Sequence, residues 1–481
     1  MRALAWPIYS YAGKPLADSG YICFRNLVRA IPEWTWHVVV PDWAVGDKAL
    51  KDDLDDLPNV TKVPVPMPTL YRAQEVTLDP ETLWRYSPQV GLQPMDVIVA
   101  GSNQIASVLM NAYTFRMQDH DRPFVVAWDL LTRDDRNRGW RSQDVELMLH
   151  FAGAAVVDLN VYGSPMMEWM TMGMLRKQFA PYVVRQVMER SETVFAGVPV
   201  TRIDEVTDGI AKRDEFTVFY GGRMGAVKRV DDLTEIADLT FQFGRDMRMV
   251  LCTGSLPQGK AETFRKQFPF VELHVGTSQE DAWRLMAECH AAIMWSKHEM
   301  IGSMFIEEMA HGLPLIASPH RWLTSLLPEE YPYWAENALQ AGTHLRMLYE
   351  AWREDPDRYD EPMWPFTSLV RKKYDAAVAS QEFRRVVEAR VMPLIDSHME
   401  AFRSGKRASL LELCDEVTVD VDEIGYADLL KRLKDGATLN TFVGAKIASA
   451  RSNGSLDVHR AMLTLGWTDV GLEEPVYRRT K

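Results

Sequence analysis

Only four cysteines occur in 481 residues, Cys23, Cys252, Cys289 and Cys414. None stands close enough to another to form a CxxC metal or redox motif, so they read as reduced, mostly buried thiols of a protein in a reducing compartment. Long apolar runs are missing too. Nothing approaches the ~18 consecutive apolar residues of a membrane span. The opening MRALAWPIYSYAGK is broken at Pro7, which suits a buried first strand better than a signal peptide. A soluble, cytoplasmic protein with no membrane partner is expected. Basic residues are in deficit: 54 Lys and Arg against 67 Asp and Glu give a formal charge of −13, which excludes coating of nucleic acid by charge alone. No GxGxxG follows a strand-like run, since YGGRMGA has the wrong spacing, and a dinucleotide oxidoreductase is disfavoured.

What is plentiful is apolar material: 47% hydrophobic residues, with 15 Trp and 25 Met, enough for large cores or for gripping flat ligands. The length exceeds a single core, and ~150 residues per domain predicts two or three domains. Short apolar runs alternate with amphipathic stretches, the pattern of an α/β fold built on parallel sheets. In the first half, strands are expected at 4–9, 37–41, 97–101, 124–128 and 154–158, with the Pro-punctuated 59–68 an edge strand or loop. A break is expected at 196–214. The alternation then restarts with strands at 216–220, 249–253, 271–275, 291–295 and 313–317, and helices at 229–243, 261–268, 279–290 and 304–311. Helices at 368–380 and 382–402 and a linker at 404–409 follow. Two such α/β halves leave a cleft at the carboxyl ends of their strands, where these folds take ligands.

Two segments carry chemistry. In SKHEMIGSMFIEEMAHGLPLIAS, Glu299 and Glu307 lie on either side of Gly302 and Ser303, which open a helix that Gly312 closes before Pro314. Carboxylates accept hydrogen bonds from hydroxyls, and helix N-terminal amides suit phosphate, so a ligand with both sugar hydroxyls and a diphosphate would use all of these groups. In FYGGRMGAVK, a strand ends at Tyr220, glycines including Gly222 let the backbone turn, and Arg223 and Lys228 supply two cations for a phosphate.

Together the paired motifs resemble the nucleotide-sugar domain of retaining GT-B glycosyltransferases of the family 4 type. The matches are Gly222-Arg223 with Lys228, the Glu299-to-Glu307 box, and EEMAHGLPLIAS. The likeness covers about 193–348 well and the first half by architecture only. Glu308 stands where that family has a small residue, and is expected on the helix surface. The resemblance implies a GT-B fold: a Rossmann-like acceptor domain at 1–195, a Rossmann-like nucleotide-sugar domain at 196–364 and returning helices and linker at 365–408; the remaining 409–481 is read from its own pattern as a small C-terminal module of winged-helix shape. The resemblance implies that Arg223 and Lys228 hold the donor diphosphate, Glu299 the transferred sugar and Glu307 the ribose, with Gly20, Gly222, Gly302 and Ser303 lining the donor. No metal or other cofactor is implied, the cations and amides stabilising the leaving group. The implied donor is a nucleotide-sugar, UDP-glucose by preference.

On the acceptor side Asp129, just past VVAW at the cleft face, is a candidate base or acceptor-orienting group, with a helix N-cap as the plain alternative. Asn103 after VIVAGS is a second candidate, and His298 adjoins Glu299. The family's usual acceptor-side His is missing near Asp129. Asp53 and Asp55 form a DxD, read as a solvated helix end rather than a metal site. Residues 424–481 carry +3, leaving −16 on the remainder. Their helical stretches, with Lys446 and Arg451, and a hairpin at 467–478 suggest either a DNA-binding module or an oligomerisation cap. On the first reading, a hydroxymethylated pyrimidine in duplex DNA is the acceptor, flipped into the cleft as in phage enzymes that glycosylate DNA bases, which would place the protein in a host cytoplasm. On the second, the acceptor is a glycan or small molecule. A non-catalytic nucleotide-sugar binder is the alternative of a different class.

Overall fold

The computed structural model describes residues 1–9, 19–44, 50, 53–67, 96–114, 123–130, 143–222, 235–236, 247–253, 256, 258–296, 302–319, 321–403, 467–469 and 477–479. The first half runs β1 (Arg2–Trp6), α1 (Ser19–Ala30), β2 (Thr35–Pro41), β3 (Val60–Val65), β4 (Val97–Ala100), α2 (Asn103–Thr114), β5 (Phe124–Asp129), α3 (Gln143–Val156), β6 (Leu159–Tyr162), α4 (Pro165–Gln178), α5 (Pro181–Glu189) and β7 (Ser191–Thr193). Its strands form one seven-stranded sheet in the order β3-β2-β1-β4-β5-β6-β7. The inner strands are mostly apolar and buried, VIVA of β4 and LNVY of β6 along their whole length, as strands of a sheet covered on both faces are. β3 differs: it alternates in burial and holds Pro64, which only an edge position tolerates.

The second half comprises α6 (Val200–Thr207), β8 (Phe216–Gly221), β9 (Met247–Thr253), α7 (Gln258–Gln267), β10 (Val271–Val275), α8 (Gln279–Ala287), β11 (Ala291–Met294), α9 (Ser303–Ala310), β12 (Leu315–Ala317), α10 (Arg321–Thr324), α11 (Ala338–Glu354), α12 (Trp364–Lys373) and α13 (Ala376–Arg403). Five parallel strands pair in the order β10-β9-β8-β11-β12, so the strand order reverses beside β8. One apolar core surrounds this sheet and includes the fully buried Trp283, Trp295 and Trp322. Burying each such side chain contributes roughly 1.5–3 kcal/mol.

The chain passes from the first half to the second near Val198 and returns near Asp375. The two passages pair with each other: Val198 N–H donates to the Tyr374 carbonyl at 2.9 Å and Ala376 N–H to the Val198 carbonyl at 2.7 Å. After this crossing α13 lies back on the first half. Trp34 Nε1 donates to Glu388 at 2.8 Å, Gln381 Nε2 to the Ala30 carbonyl at 2.9 Å, and the rings of Trp128 and Phe383 meet at 5.2 Å. Both sheets belong to one compact unit, residues 1–78, 97–107 and 125–388. A second unit gathers 79–96, 108–124 and 389–481, and contains the antiparallel pair β13 (Trp467–Asp469) and β14 (Tyr477–Arg479).

Three expectations need correction. Residues 154–158 are the end of α3 and its exit turn, and the strand lies at Leu159–Tyr162 instead. The apolar run AAVV satisfies a buried helix as well as a strand, and the preceding amphipathic stretch carries the helix through it. The interval 196–214 is not a mere break, since α6 forms inside it. The helical stretch after residue 364 breaks at Tyr374-Asp375 rather than at Gln381, because the backbone there is drawn into pairing with Val198.

Candidate active site

The carboxyl edge of the five-stranded sheet is built by turns placed where strands end. At the end of β8, Gly222 takes φ 145° and donates its N–H to the Cys252 carbonyl at 3.0 Å. Beyond β11, Gly302 forms the N-cap of α9 in the left-handed conformation, φ 57° and ψ 44°, with no side-chain cap. A Cβ there would lie 2.1 Å from the indole of Trp322, itself buried, so the position admits glycine alone. Gly302 and Ser303 are partly exposed, and α9 starts with its first amides uncapped by any side chain. Such a helix start favours an anionic group.

Glu307 stands one turn further in and is only 3% exposed. Its Oε1 accepts from Gln279 Nε2 at 2.8 Å, and Gln279 Oε1 accepts from Arg25 Nη2 at 3.3 Å. Arg25 belongs to α1, in the other half of the chain, so this hydrogen-bonded series crosses between the two sheets. Burial raises the Glu307 carboxyl above its usual range, and the Gln279 amide and the nearby Arg25 charge oppose the rise. The hydroxyls of Ser296 and Ser318, just past β11 and β12, are buried and have no hydrogen-bond partner among the described residues. Unsatisfied buried hydroxyls at strand ends are suited to a polar ligand.

Glu308 departs from expectation. It is fully buried rather than on a helix surface, because α9 is enclosed from Phe305 to Ala310 and α12 packs on it, with Arg371 Nη1 donating to the Ala310 carbonyl at 2.7 Å. Arg223, Lys228, His298 and Glu299 lie outside the described residues, as do Lys446 and Arg451.

The seven-stranded sheet also gathers polar groups at its carboxyl edge. Asp129 ends β5 and Asn103 begins α2, and Asn103 Nδ2 donates to Asp129 Oδ2 at 3.3 Å. His150 Nε2 lies 3.4 Å from the same oxygen, and His150 Nδ1 lies 3.4 Å from Gln104 Oε1. All four residues are buried, so Asp129 faces no solvent at the cleft in this structure. The reason is tight packing of α3 on α2: a Cβ on Gly153 would fall 2.0 Å from the Asn103 carbonyl oxygen. The helix after β4 is opened by Ser102, whose Oγ accepts from the Ile105 N–H at 3.2 Å. Gly20 is buried in the first turn of α1. The DxD acids lie in a turn at 53–56: Asp53 accepts from the Tyr21 hydroxyl at 2.7 Å, and Asp55, exposed, pairs with Lys62.

Sequence reasoning missed Gln279, Arg25, Ser296, Ser318 and His150. Ser296 and Ser318 had a usable signal, each following the last apolar residues of a strand as Gly222 does. His150 had none, since α3 brings it to Asp129 from 21 positions away.

The two parallel-sheet α/β halves have the GT-B glycosyltransferase fold. Solved structures show the same architecture. Sucrose-phosphate synthase of Thermosynechococcus elongatus matches with a TM-score of 0.62 at 17% identity, covering 81% of this chain and 98% of that one. HepE of Anabaena, solved with UDP, matches at 0.54 and 14%, covering 81% and 100%. The lipopolysaccharide outer core galactosyltransferase WaaB, in apo form, matches at 0.50 and 12%, covering 81% and 99%. No protein-family model matches the chain, and no curated protein matches its sequence.

Proposed function

We propose that the protein transfers a sugar from a nucleotide-sugar, UDP-glucose by preference, to an acceptor hydroxyl with retention of anomeric configuration. One observation carries the reading: the uncapped, Gly302-opened start of α9 with Glu307 one turn inside it. A helix start suits a diphosphate and a carboxylate suits a ribose diol, and this pair of features offers both. Support comes from the shared fold of HepE, which has been solved with UDP-glucose. In this reading Arg223, Lys228 and the α9 amides hold the diphosphate without a metal ion or other cofactor, Glu299 holds the transferred sugar, and Gly20 and Gly222 give the donor room. The leaving phosphate, stabilised by fixed charges, helps to take the acceptor proton. Asp129 and Asn103, buried beside His150, are assigned to shaping the acceptor side from within rather than to touching the acceptor.

The acceptor is assigned to a hydroxymethylated pyrimidine in DNA, on the charge contrast between residues 424–481 at +3 and the remainder at −16. Lys446 and Arg451 would contact phosphate, and their loss should weaken binding evenly across DNA sequences. The test incubates full-length protein with radiolabelled UDP-glucose and hydroxymethylated duplex DNA, alongside glycan and small-molecule acceptors. Label in DNA, with the α-linkage retained by NMR, is the expected result. Label only in the small acceptors rejects the DNA assignment and leaves glycosyl transfer standing. Donor binding with neither transfer nor hydrolysis, whatever the acceptor, marks a binding protein instead.

A further inference from the structure

The series Arg25–Gln279–Glu307 has a directionality that its chemistry enforces. Arg25 can only donate and a carboxylate only accept, so the Gln279 amide must turn its oxygen to Arg25 and its NH2 to Glu307. No other common side chain offers a donor and an acceptor side by side at the end of one stem except asparagine, which is shorter. The backbone beneath Gln279 is fixed. Gln279 is the first residue of α8, whose N-cap Ser278 accepts from the Asp281 N–H at 3.1 Å, and the next residue, Glu280, pairs with Arg202 of α6 at 2.8 Å. With the amide held at both ends, Glu307 Oε1 is committed, and the carboxylate presents its second oxygen in one orientation.

We infer that Gln279 is a positioning residue for Glu307, and that Arg25 sets the orientation of its amide, so that recognition of the nucleotide's ribose is coupled to the seating of α1 of one half against α8 of the other. This rests on the reading of Glu307 as the ribose-binding carboxylate. The nucleotide's diol is thereby read by a group whose aim depends on the opposite half, and a donor binds fully only where the two halves meet. The energetic weight falls on the ribose hydroxyls rather than on the diphosphate, which separates this role from a general contribution to the fold. Hydrogen bonds to charged groups of this kind are worth a factor of about tenfold or more in affinity.

The experiment is calorimetric titration of the full-length protein with UDP, ADP and GDP, each beside its 2′-deoxy counterpart. Wild type is expected to prefer the ribo form of one nucleotide by about tenfold or more. Gln279→Leu and Arg25→Ala should each reduce that preference to below about threefold while leaving affinity for the 2′-deoxy form near the wild-type value, and Arg25→Lys should restore part of it. Thermal unfolding of each variant accompanies the titration, and Arg25, half-buried on α1, gives a second variant to read where Gln279→Leu does not fold. An undiminished ribose preference in folded Arg25→Ala overturns the inference alone. So does a wild type that binds nucleoside diphosphate without preferring ribose. A wild type that binds none of the three overturns the donor-site reading and the inference with it.

Discussion

The carboxyl edges of the two sheets carry polar residues of similar kind and present them in opposite ways. On the five-stranded sheet Gly302 and Ser303 are partly exposed, the helix start is uncapped, and Glu307 lies one turn below. On the seven-stranded sheet Asn103, Gln104, Asp129 and His150 meet in the interior, beneath a helix contact too tight for a Cβ at Gly153. The first edge offers a partly exposed helix start that no side chain among the described residues caps. The second is a buried network whose hydrogen bonds tie α2, α3 and β5 together, and low local dielectric makes every member of such a network costly to remove. A difference in packing, and not in residue type, separates the two.

Substitutions can break or sharpen that contrast. The largest effect is expected from Gly302→Val, which combines a left-handed φ with a clash against buried Trp322. It should destabilise by at least ~3 kcal/mol in urea denaturation and abolish nucleotide binding. Gly153→Ala pushes on backbone rather than on a side chain and should lose about 2–3 kcal/mol. Where it folds, transfer should fall while nucleotide affinity in a thermal-shift assay stays near wild type. Equal loss of both would merge the two edges into a single site.

Glu307→Gln probes the open edge through pH. Burial raises the folded carboxyl above its ordinary value of 4.5. An acid raised in this way weakens the fold as pH climbs through the folded pKa, and its full stability is present below the unfolded one. The variant should therefore be more stable than wild type near neutrality, with the gap closing as pH falls toward 4.5, while its nucleotide affinity drops by about tenfold. A gap that widens on acidification contradicts the burial argument. Arg202→Ala sets the baseline: its pairs with Glu205 and Glu280 are exposed, and its loss should cost less than ~1 kcal/mol by the same denaturation measurement.

The described elements of the second half were legible because their signals are local. Strand, glycine turn and helix follow one another within a dozen residues, so Gly302 and Glu307 could be placed on their elements before any coordinates. The first half was legible in its strands and not in its site. Asp129 looked like a cleft residue because it follows VVAW, and nothing nearby in the chain announces that α3 seals it or that His150 meets it. The Arg25–Gln279 contact, across 254 positions, left no trace in pattern or motif. Glu308 misled for a related reason: the surface or interior placement of a helical acid is decided by what packs on it, here α12 from more than fifty residues away.

The return of α13 to the first sheet bears on how the protein is made. Trp34 finds its acceptor on Glu388, 354 positions later, and Trp128 its ring partner on Phe383. At roughly 5–20 residues per second, the ribosome releases the strands of the first half tens of seconds before the helix that covers them. The second half, whose contacts are nearer in sequence, can close in that interval. The nascent first half must wait with Trp128 packed on Phe24 and Trp34 on Trp36 but without their α13 partners, so a ribosome that stalls between the crossing at Val198 and the end of α13 leaves an unfinished body with aromatic surface uncovered, a target for chaperones.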